Sequence, residues 1–307
     1  MRENISDLIP LTHSELRHAG TSRKTIRHRF TRIGHSLYLN DAALARPTTH
    51  QLPLLSRAIG LQKRCPNAVL SGWVVLAAHG VLHIDDSLPV HYYTSNGKHR
   101  RDFKLNLIPI RSTTACEHTV EVYGHPLRLV GTAVAVIDCL RALKSNAASW
   151  WVPRIEGFSF QEVRMLQVID MARTWLGLTK HDLAATAHQR FPARLLRKLW
   201  KLSDAGAQSP QETSLRLIVR DLARWESQVA LFDDHGNVIT TADLADRHRK
   251  VALFYDGVHH LSRQQRDYDS FVWQQLRKQG WEVVRITHGQ LRNPGHLREL
   301  LLHLLRG

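Results

Sequence analysis

The segment Lys250–His260, which reads KVALFYDGVHH, constrains the fold of this chain more than any other. It begins as an unbroken apolar run, which predicts a strand buried on both faces of a sheet. The run ends on Asp256, a glycine and two histidines, and a second acid, Asp243, stands near the end of the preceding segment Val238–Ala245. Because only a short charged loop joins the two segments, we predict an antiparallel pair that brings the two aspartates near one edge. The alternative is that both aspartates are turn residues at strand ends.

The charge of the chain indicates a polyanionic partner. Among its 307 residues, 42 Lys and Arg stand against 27 Asp and Glu, which gives a formal charge of +15. A protein with such a field most often binds nucleic acid, so we predict double-stranded DNA as the partner. An anionic membrane is the rival, but no apolar run is long enough to span a bilayer and neither terminus has a long amphipathic helix.

The cysteines and the N-terminus predict the cellular compartment. Cys65, Cys116 and Cys139 are odd in number, far apart, and form no CxxC pair. This pattern fits a reducing cytoplasm and argues against a structural zinc site. The first residues lack the apolar segment of a signal peptide, so we expect a cytoplasmic protein.

Residues 11–40 have the order helix, tight turn, basic helix, hairpin. A capping-box pattern at Thr12 starts a helix that ends at Gly20, and Ser22 caps a second helix. The basic face of the second helix consists of Arg23, Lys24, Arg27 and His28. This order is that of a winged helix-turn-helix, and we predict that residues 1–48 bind DNA through this face. The alternative is a basic face that is only solvated.

The remainder divides into a middle region and an informative C-terminal region. Residues 49–203 alternate helical and strand-like segments in a mixed α/β and helical pattern, and the helices predicted in residues 159–203 indicate no chemistry. The basic turn Asn96–Asp102 is either a phosphate contact or a solvated hairpin tip. In residues 204–307, Ser209 and Pro210 start a helix, and the segments that follow give the order α-β-β-β-α-β-α. The last of these segments, Gln290–Leu305, is predicted to be one helix. We therefore predict a multidomain protein of the α+β or α/β class in three parts.

That order matches the core of the PD-(D/E)XK nuclease fold. The local sequences ALFYDGVHH, RDYD and LRKQGWEVVRIT resemble those of the very-short-patch repair endonuclease-like proteins. The whole chain resembles the version of these proteins in which a winged-helix region similar to abortive-infection (AbiEi-type) antitoxins precedes the nuclease-like domain. The resemblance implies a DNA-associated protein, and it makes a toxin partner or a homodimer the candidate assemblies.

One residue departs from the common pattern of these proteins. Phe254 stands two residues before Asp256, where the resemblance implies a metal-binding acid. Phenylalanine cannot bind a metal, so a degenerate domain is one interpretation. The very-short-patch repair enzymes themselves resemble this sequence in having phenylalanine at this place, and their template implies an active site here. It makes Asp243 the principal ligand and the Tyr255 backbone carbonyl a second ligand, with His259 or His260 as the base.

The chemistry follows from these residues. Phosphodiester cleavage needs a hard divalent cation, and Mg²⁺ prefers carboxylate and carbonyl oxygens such as those of Asp243 and Asp256. Mn²⁺ is the substitute, and Glu212 is a further candidate ligand although its position in a helical first turn already accounts for it. A neutral imidazole of His259 or His260 would act as base. The leading prediction is a Mg²⁺-dependent DNA endonuclease, and the alternative is a non-catalytic DNA-binding regulator such as an antitoxin-type repressor.

Overall fold

The computed structural model describes residues 8–44, 52–94, 105–112, 117–256 and 263–306. These residues form three β-sheets together with helices, so the predicted mixed class of α and β structure is confirmed. The chain divides into two compact units, Met1–Ala148 with Leu178–Ala193 and Ser149–Gly177 with Arg194–Gly307. The division into three functional parts at residues 48 and 203 stays a prediction. No helix in the described ranges has the length and apolar character that crossing a bilayer requires.

The elements are numbered in chain order. Up to residue 144 they are β1 (Leu11–Thr12), α1 (His13–His18), α2 (Arg23–Arg29), β2 (Phe30–Gly34), β3 (Leu37–Asn40), α3 (Asp41–Leu44), α4 (Leu54–Arg64), β4 (Val69–Ser71), α5 (Trp73–Ala78), β5 (Val90–Thr94), β6 (Leu107–Arg111), β7 (His118–Val122), β8 (His125–Leu129) and α6 (Thr132–Lys144). Three helices follow: α7 (Phe160–Leu176), α8 (Lys180–Ala187) and α9 (Ala193–Leu202). The last elements are α10 (Pro210–Val219), β9 (Glu226–Phe232), β10 (Val238–Asp246), β11 (Val251–Asp256), α11 (Arg263–Lys278), β12 (Glu282–Thr287), α12 (His288–Leu291) and α13 (Pro294–Arg306).

The N-terminal helices and hairpin form as the sequence predicts. Thr12 and Glu15 make a reciprocal capping box at the start of α1, and the Ser22 hydroxyl accepts from the Thr25 N–H at the start of α2. Strands β1, β3 and β2 form an antiparallel sheet in that order. Helix α4 lies against this region at Gly60, where an added Cβ would stand 3.2 Å from Pro10 Cγ. The glycine therefore permits the close contact.

A five-stranded sheet with the order β6-β5-β4-β8-β7 forms the centre of the first unit. Strand β4 ends at Ser71, and helix α5 begins two residues later at Trp73. Gly72 makes the turn between them with a φ of 64°. A Cβ at Gly72 would lie 2.8 Å from Nδ1 of His91, so the turn brings the backbone close to β5.

The second unit contains a four-stranded sheet with the order β12-β11-β10-β9. Strands β9, β10 and β11 are antiparallel, and β12 returns through α11 to pair in parallel with β11. The predicted order of elements up to β12 and the antiparallel pairing of β10 with β11 are thus confirmed. The single final helix predicted over Gln290–Leu305 is wrong, since the chain forms α12 and α13 instead. Pro294 explains the break because proline disfavours helical backbone in the residue before it.

Candidate functional site

The candidate site lies where β10 and β11 separate. Their ladder joins Leu244–Asp246 of β10 to residues 251–253 of β11, and it ends at the pair Leu244 and Leu253. The next β10 residue, Asp243, accepts a hydrogen bond through Oδ2 from the backbone N–H of Tyr255, at 2.5 Å. Beyond the end of this ladder, β11 therefore donates to the Asp243 side chain instead of to the backbone of β10, while its other edge continues to pair with β12. This geometry holds the Asp243 carboxylate between the two strands.

Two further polar side chains converge on Asp243. Gln228 of β9 stands opposite Asp243, because Ala242 pairs with Val229 and Leu244 pairs with Ser227. The Gln228 amide nitrogen donates to Oε2 of Glu212 at 3.0 Å and the Gln228 side chain also donates to the Asp243 carboxylate. The amide of Gln228 on β9 therefore links Glu212 of α10 to Asp243 of β10.

Glu212 has the role at the start of α10 that the sequence suggested, and its role as a metal ligand stays a prediction. Its backbone N–H donates to the Ser209 hydroxyl at 3.2 Å, which caps α10, and its Oε2 accepts from the backbone N–H of Gln208 at 2.9 Å. Its charge nevertheless acts on Asp243. Glu212, rather than Asp256, is the acid whose charge perturbs Asp243.

The electrostatics of this pair are unfavourable for two ionised carboxylates. Burial is the largest cause that raises the pKa of Asp243, the Glu212 charge is the second, and together they bring it from 3.8 to about 7. The hydrogen bonds from Tyr255 and Gln228 act in the opposite direction because they stabilise the carboxylate. Near neutral pH Asp243 therefore gains and loses a proton readily, and a cation bound beside the two carboxylates would stabilise their ionised forms.

A buried polar network holds the helix that carries Glu212. Asp170 of α7 is fully buried, and its carboxylate accepts from the Thr213 hydroxyl at 2.9 Å and from Arg216 at 2.7 Å, both on α10. Gln167 of α7 donates to the Pro210 carbonyl at 2.9 Å, at the first position of the same helix. Because these bonds join the first turns of α10 to α7, they fix the position from which Glu212 projects.

Asp256 makes a different contact from the one its sequence position suggests. It forms an ion pair with Arg285 of β12, and the guanidinium of Arg285 lies 5.7 Å from the ring centroid of Trp273. Phe254 packs against the apolar cluster beneath the sheet, which includes Val272 and Leu276. Its partner in the parallel ladder is also Arg285. The Asp256 carboxylate is thus paired with the Arg285 guanidinium, and Phe254 packs into the apolar core.

The predicted site residues are only partly brought together. Asp243 and Glu212 are neighbours, Tyr255 contributes its N–H, and Asp256 pairs with Arg285. His259 and His260 lie outside the described residues. Within the described ranges, no group of three or more His, Cys, Asp or Glu is placed to hold a metal ion. Sequence reasoning missed Gln228 and Arg285, since only strand register places them beside the two aspartates.

The predicted DNA-binding face is accessible. Ile26 points into the core of the N-terminal region, whereas the basic side chains on the other sides of α2 are exposed: Arg23, Lys24, Arg27 and His28. In the part of the chain that the structure describes, no carboxylate forms an ion pair with any of these four. The face therefore carries a net positive charge at the surface.

Comparison with known proteins assigns this chain to no family. No family model matches the chain, and neither a curated protein nor a solved structure matches it. The resemblance to the very-short-patch repair endonuclease-like proteins therefore stays a prediction.

Proposed function

We propose that the second unit is a metal-dependent endodeoxyribonuclease with Glu212 and Asp243 at the centre of its site. One observation carries the proposal: two carboxylates from different elements are held together, with a pKa of about 7 for Asp243. Such an arrangement weakens the fold above neutral pH, and strongly perturbed carboxyl groups cluster at functional sites. In this proposal the strands β9 to β12, with α10 and α11, form a PD-(D/E)XK nuclease core.

The two carboxylates fit a hard divalent cation such as Mg²⁺ or Mn²⁺. Mg²⁺ is commonly held by one or two protein carboxylates, while waters and phosphate oxygens complete its shell. A pair therefore suffices as the protein's share of the ligands. When bound, the cation would neutralise the scissile phosphate and lower the pKa of the attacking water.

The chain's own groups would orient the reaction. Gln228 and the Tyr255 N–H hold carboxylate oxygens of Glu212 and Asp243 in place. Arg285, positioned by Asp256, would supply a fixed positive charge to a phosphate group. In this proposal Asp256 positions a cationic residue and is not itself a ligand. His259 and His260 keep their predicted role as candidate bases.

DNA is the proposed substrate because of the charge of the chain and the exposed face of α2. The helices α1 and α2 with the β2–β3 hairpin would then act as a winged helix-turn-helix that places α2 against DNA. A formal charge of +15 favours association with a polyanion through counterion release.

Incubation of supercoiled plasmid with the full-length protein tests this proposal. We expect nicking that requires Mg²⁺ or Mn²⁺, that is lost in Asp243→Asn and Glu212→Gln, and that falls about 10- to 100-fold in Gln228→Ala, which disturbs only the support of the ligands. Asp233→Asn is the matched control, because Asp233 is a partly exposed acid in the turn between β9 and β10 and does not contact the site. Equal nicking by wild type and Asp243→Asn would contradict the proposed site.

A second candidate function is a non-catalytic DNA-binding regulator that keeps this unit as a scaffold. Two contacts favour it. Phe254 is an apolar side chain packed on the core where the resemblance implies a metal-binding acid, and the Asp256 carboxylate is already paired with Arg285. Titration calorimetry with Mn²⁺ separates the two functions. Heat from wild type that disappears in Asp243→Ala supports the enzyme, whereas heat from Phe254→Glu alone supports the regulator.

A further inference from the structure

The first unit contains a cavity of ≈ 870 Å³ that the nuclease proposal does not use. All of its lining residues belong to this unit, and they come from β5, β6 and α6, from the residues just after β6 and α6, and from the segment after α8. Its size falls in the range of small-molecule sites. At its wall lie three permanent cations, Arg141, Lys144 and Arg190.

A buried carboxylate fixes two of these cations. Asp138 is 3% exposed, and its Oδ2 accepts from the Ser71 hydroxyl at 2.6 Å and the Tyr93 hydroxyl at 2.8 Å. Its Oδ1 accepts from Arg190 at 3.0 Å and from Arg141 at 3.4 Å. Four donors thus saturate Asp138, and the carboxylate orders the arginines at the cavity wall.

Each arginine keeps donors for a ligand. Arg190 uses one terminal nitrogen for Asp138 and for the Tyr93 hydroxyl, and Arg141 uses one terminal nitrogen for Asp138. A guanidinium has five N–H groups in a planar fork that suits phosphate and carboxylate oxygens. Both arginines remain partly exposed, with side chains 29% accessible in Arg190 and 48% in Arg141. The ordered guanidinium groups are therefore available to an anion.

The net charge of the cavity is positive at neutral pH. Three cations stand against the single carboxylate of Asp138. His91 also lines the cavity, but burial lowers its pKa to about 4, so it is neutral. Lys144 is exposed and, within the described ranges, forms no hydrogen bond or ion pair. The cavity therefore attracts an anion, and Lys144 would contribute its charge without a structural role.

Part of the cavity lining is apolar. It is formed by Ile108, Pro109 and Ile110 of β6 and by Phe191, which is 6% exposed. We propose that this cavity is a binding site for an organic phosphate of mononucleotide size. The phosphate would bind Arg141, Lys144 and Arg190, and the flat organic body would pack on the β6 wall and Phe191.

A small ligand fits better than a polynucleotide. A groove that follows a nucleic-acid backbone presents cations along its length and several exposed aromatic rings. Here two of the three cations meet at one buried carboxylate, and the aromatic ring of Phe191 is buried in a wall rather than presented as a platform. These features suit one anionic group joined to one apolar body.

Titration calorimetry on the full-length protein with adenosine 5′-monophosphate, adenosine and inorganic phosphate tests the proposal. We expect the mononucleotide to bind and adenosine to bind at least about tenfold more weakly, because a charge-assisted hydrogen bond contributes about 1.5–3 kcal/mol and 1.4 kcal/mol is tenfold. Lys144→Ala should raise the mononucleotide Kd about tenfold by the same reasoning. Lys180→Ala is the matched control, since Lys180 is exposed in the same unit and does not line the cavity.

A second variant tests the place of binding rather than the charge. Ala147 is exposed at the cavity, and Ala147→Trp would obstruct it without removing a charged group, so it should weaken binding at least about tenfold at an unchanged Tm of the free protein. Equal affinity for adenosine, equal loss in Lys180→Ala, or no heat from any probe would overturn the proposal. Binding of a single-stranded oligonucleotide without binding of the mononucleotide would also overturn it and would indicate a polynucleotide groove.

Discussion

Replacement of Asp243 by asparagine should change how the stability of the protein depends on pH. Burial and the Glu212 charge raise the pKa of Asp243 from 3.8 to about 7. The folded state therefore binds more protons than the unfolded state between these values, and the free energy of unfolding falls as pH rises through this window. Asparagine can still accept from the Tyr255 N–H but cannot ionise. The free energy of unfolding of the variant should therefore not fall in this way as pH rises.

The magnitude follows from the shift. At about 1.4 kcal/mol for each pKa unit, ionisation of Asp243 costs the folded state on the order of 4 kcal/mol at pH 8. About 2.5 kcal/mol of this cost develops between pH 5 and pH 8. Asp243→Asn should therefore gain about 2.5 kcal/mol of stability relative to wild type across this interval. The titration of other groups cancels in the difference between the two proteins.

Urea unfolding of full-length wild type and variant at pH 5 and pH 8, with a chelator present, measures this quantity. Asp233→Asn is the control. Backbone and side-chain hydrogen bonds from Asn237 lower the pKa of Asp233, so its ionisation is complete in both states over this interval and its replacement should lower stability by the same amount at pH 5 and pH 8. A difference between wild type and Asp243→Asn that is the same at both pH values would refute the perturbed ionisation. Added Mg²⁺ should stabilise wild type and leave the variant unchanged, because a bound cation favours the ionised carboxylate.

Four further predictions concern other parts of the molecule. Replacing both Lys24 and Arg27 by alanine should weaken DNA binding in fluorescence anisotropy and lower the salt slope by about 1 for each lost phosphate contact; an unchanged slope would mean a solvated face. Gly60→Ala should be less stable than Gly295→Ala by about 1 kcal/mol or more in chemical unfolding, because both gain helix propensity but only the Cβ at residue 60 would crowd Pro10 and Leu37, whereas the nearest atom at Gly295 is 3.9 Å away. Arg57→Met should cost about 3 kcal/mol or more, since this fully buried guanidinium donates to the carbonyls of Leu52, Asp86, Leu88 and Leu105. Asp221→Asn should cost less than about 1 kcal/mol near neutral pH and nothing below pH 2, because Arg298 lowers the pKa of the exposed Asp221 to about 2 and that contribution is lost as pH falls.

Much of the secondary structure could be predicted because its signals are local. Thr12 and Ser22 start helices through hydrogen bonds to residues three positions away, so a short window of sequence contains the whole signal. The apolar run of β11 likewise indicates a buried strand without knowledge of its neighbours. Pro294 was a local signal too, and the predicted final helix was wrong because it ran across that residue.

The composition of the candidate site was decided by tertiary structure. The sequence alone indicated that Asp256 ends an apolar strand and that Asp243 lies in the segment before it, but not which charged groups surround them. Gln228 meets Asp243 because of the register between β9 and β10, and Arg285 meets Asp256 through a parallel pairing across α11. Glu212 is more than 30 residues from Asp243, and the network around Asp170 sets the position of its helix. Register and helix packing depend on the free energy of the whole core, so a short window of sequence does not determine them.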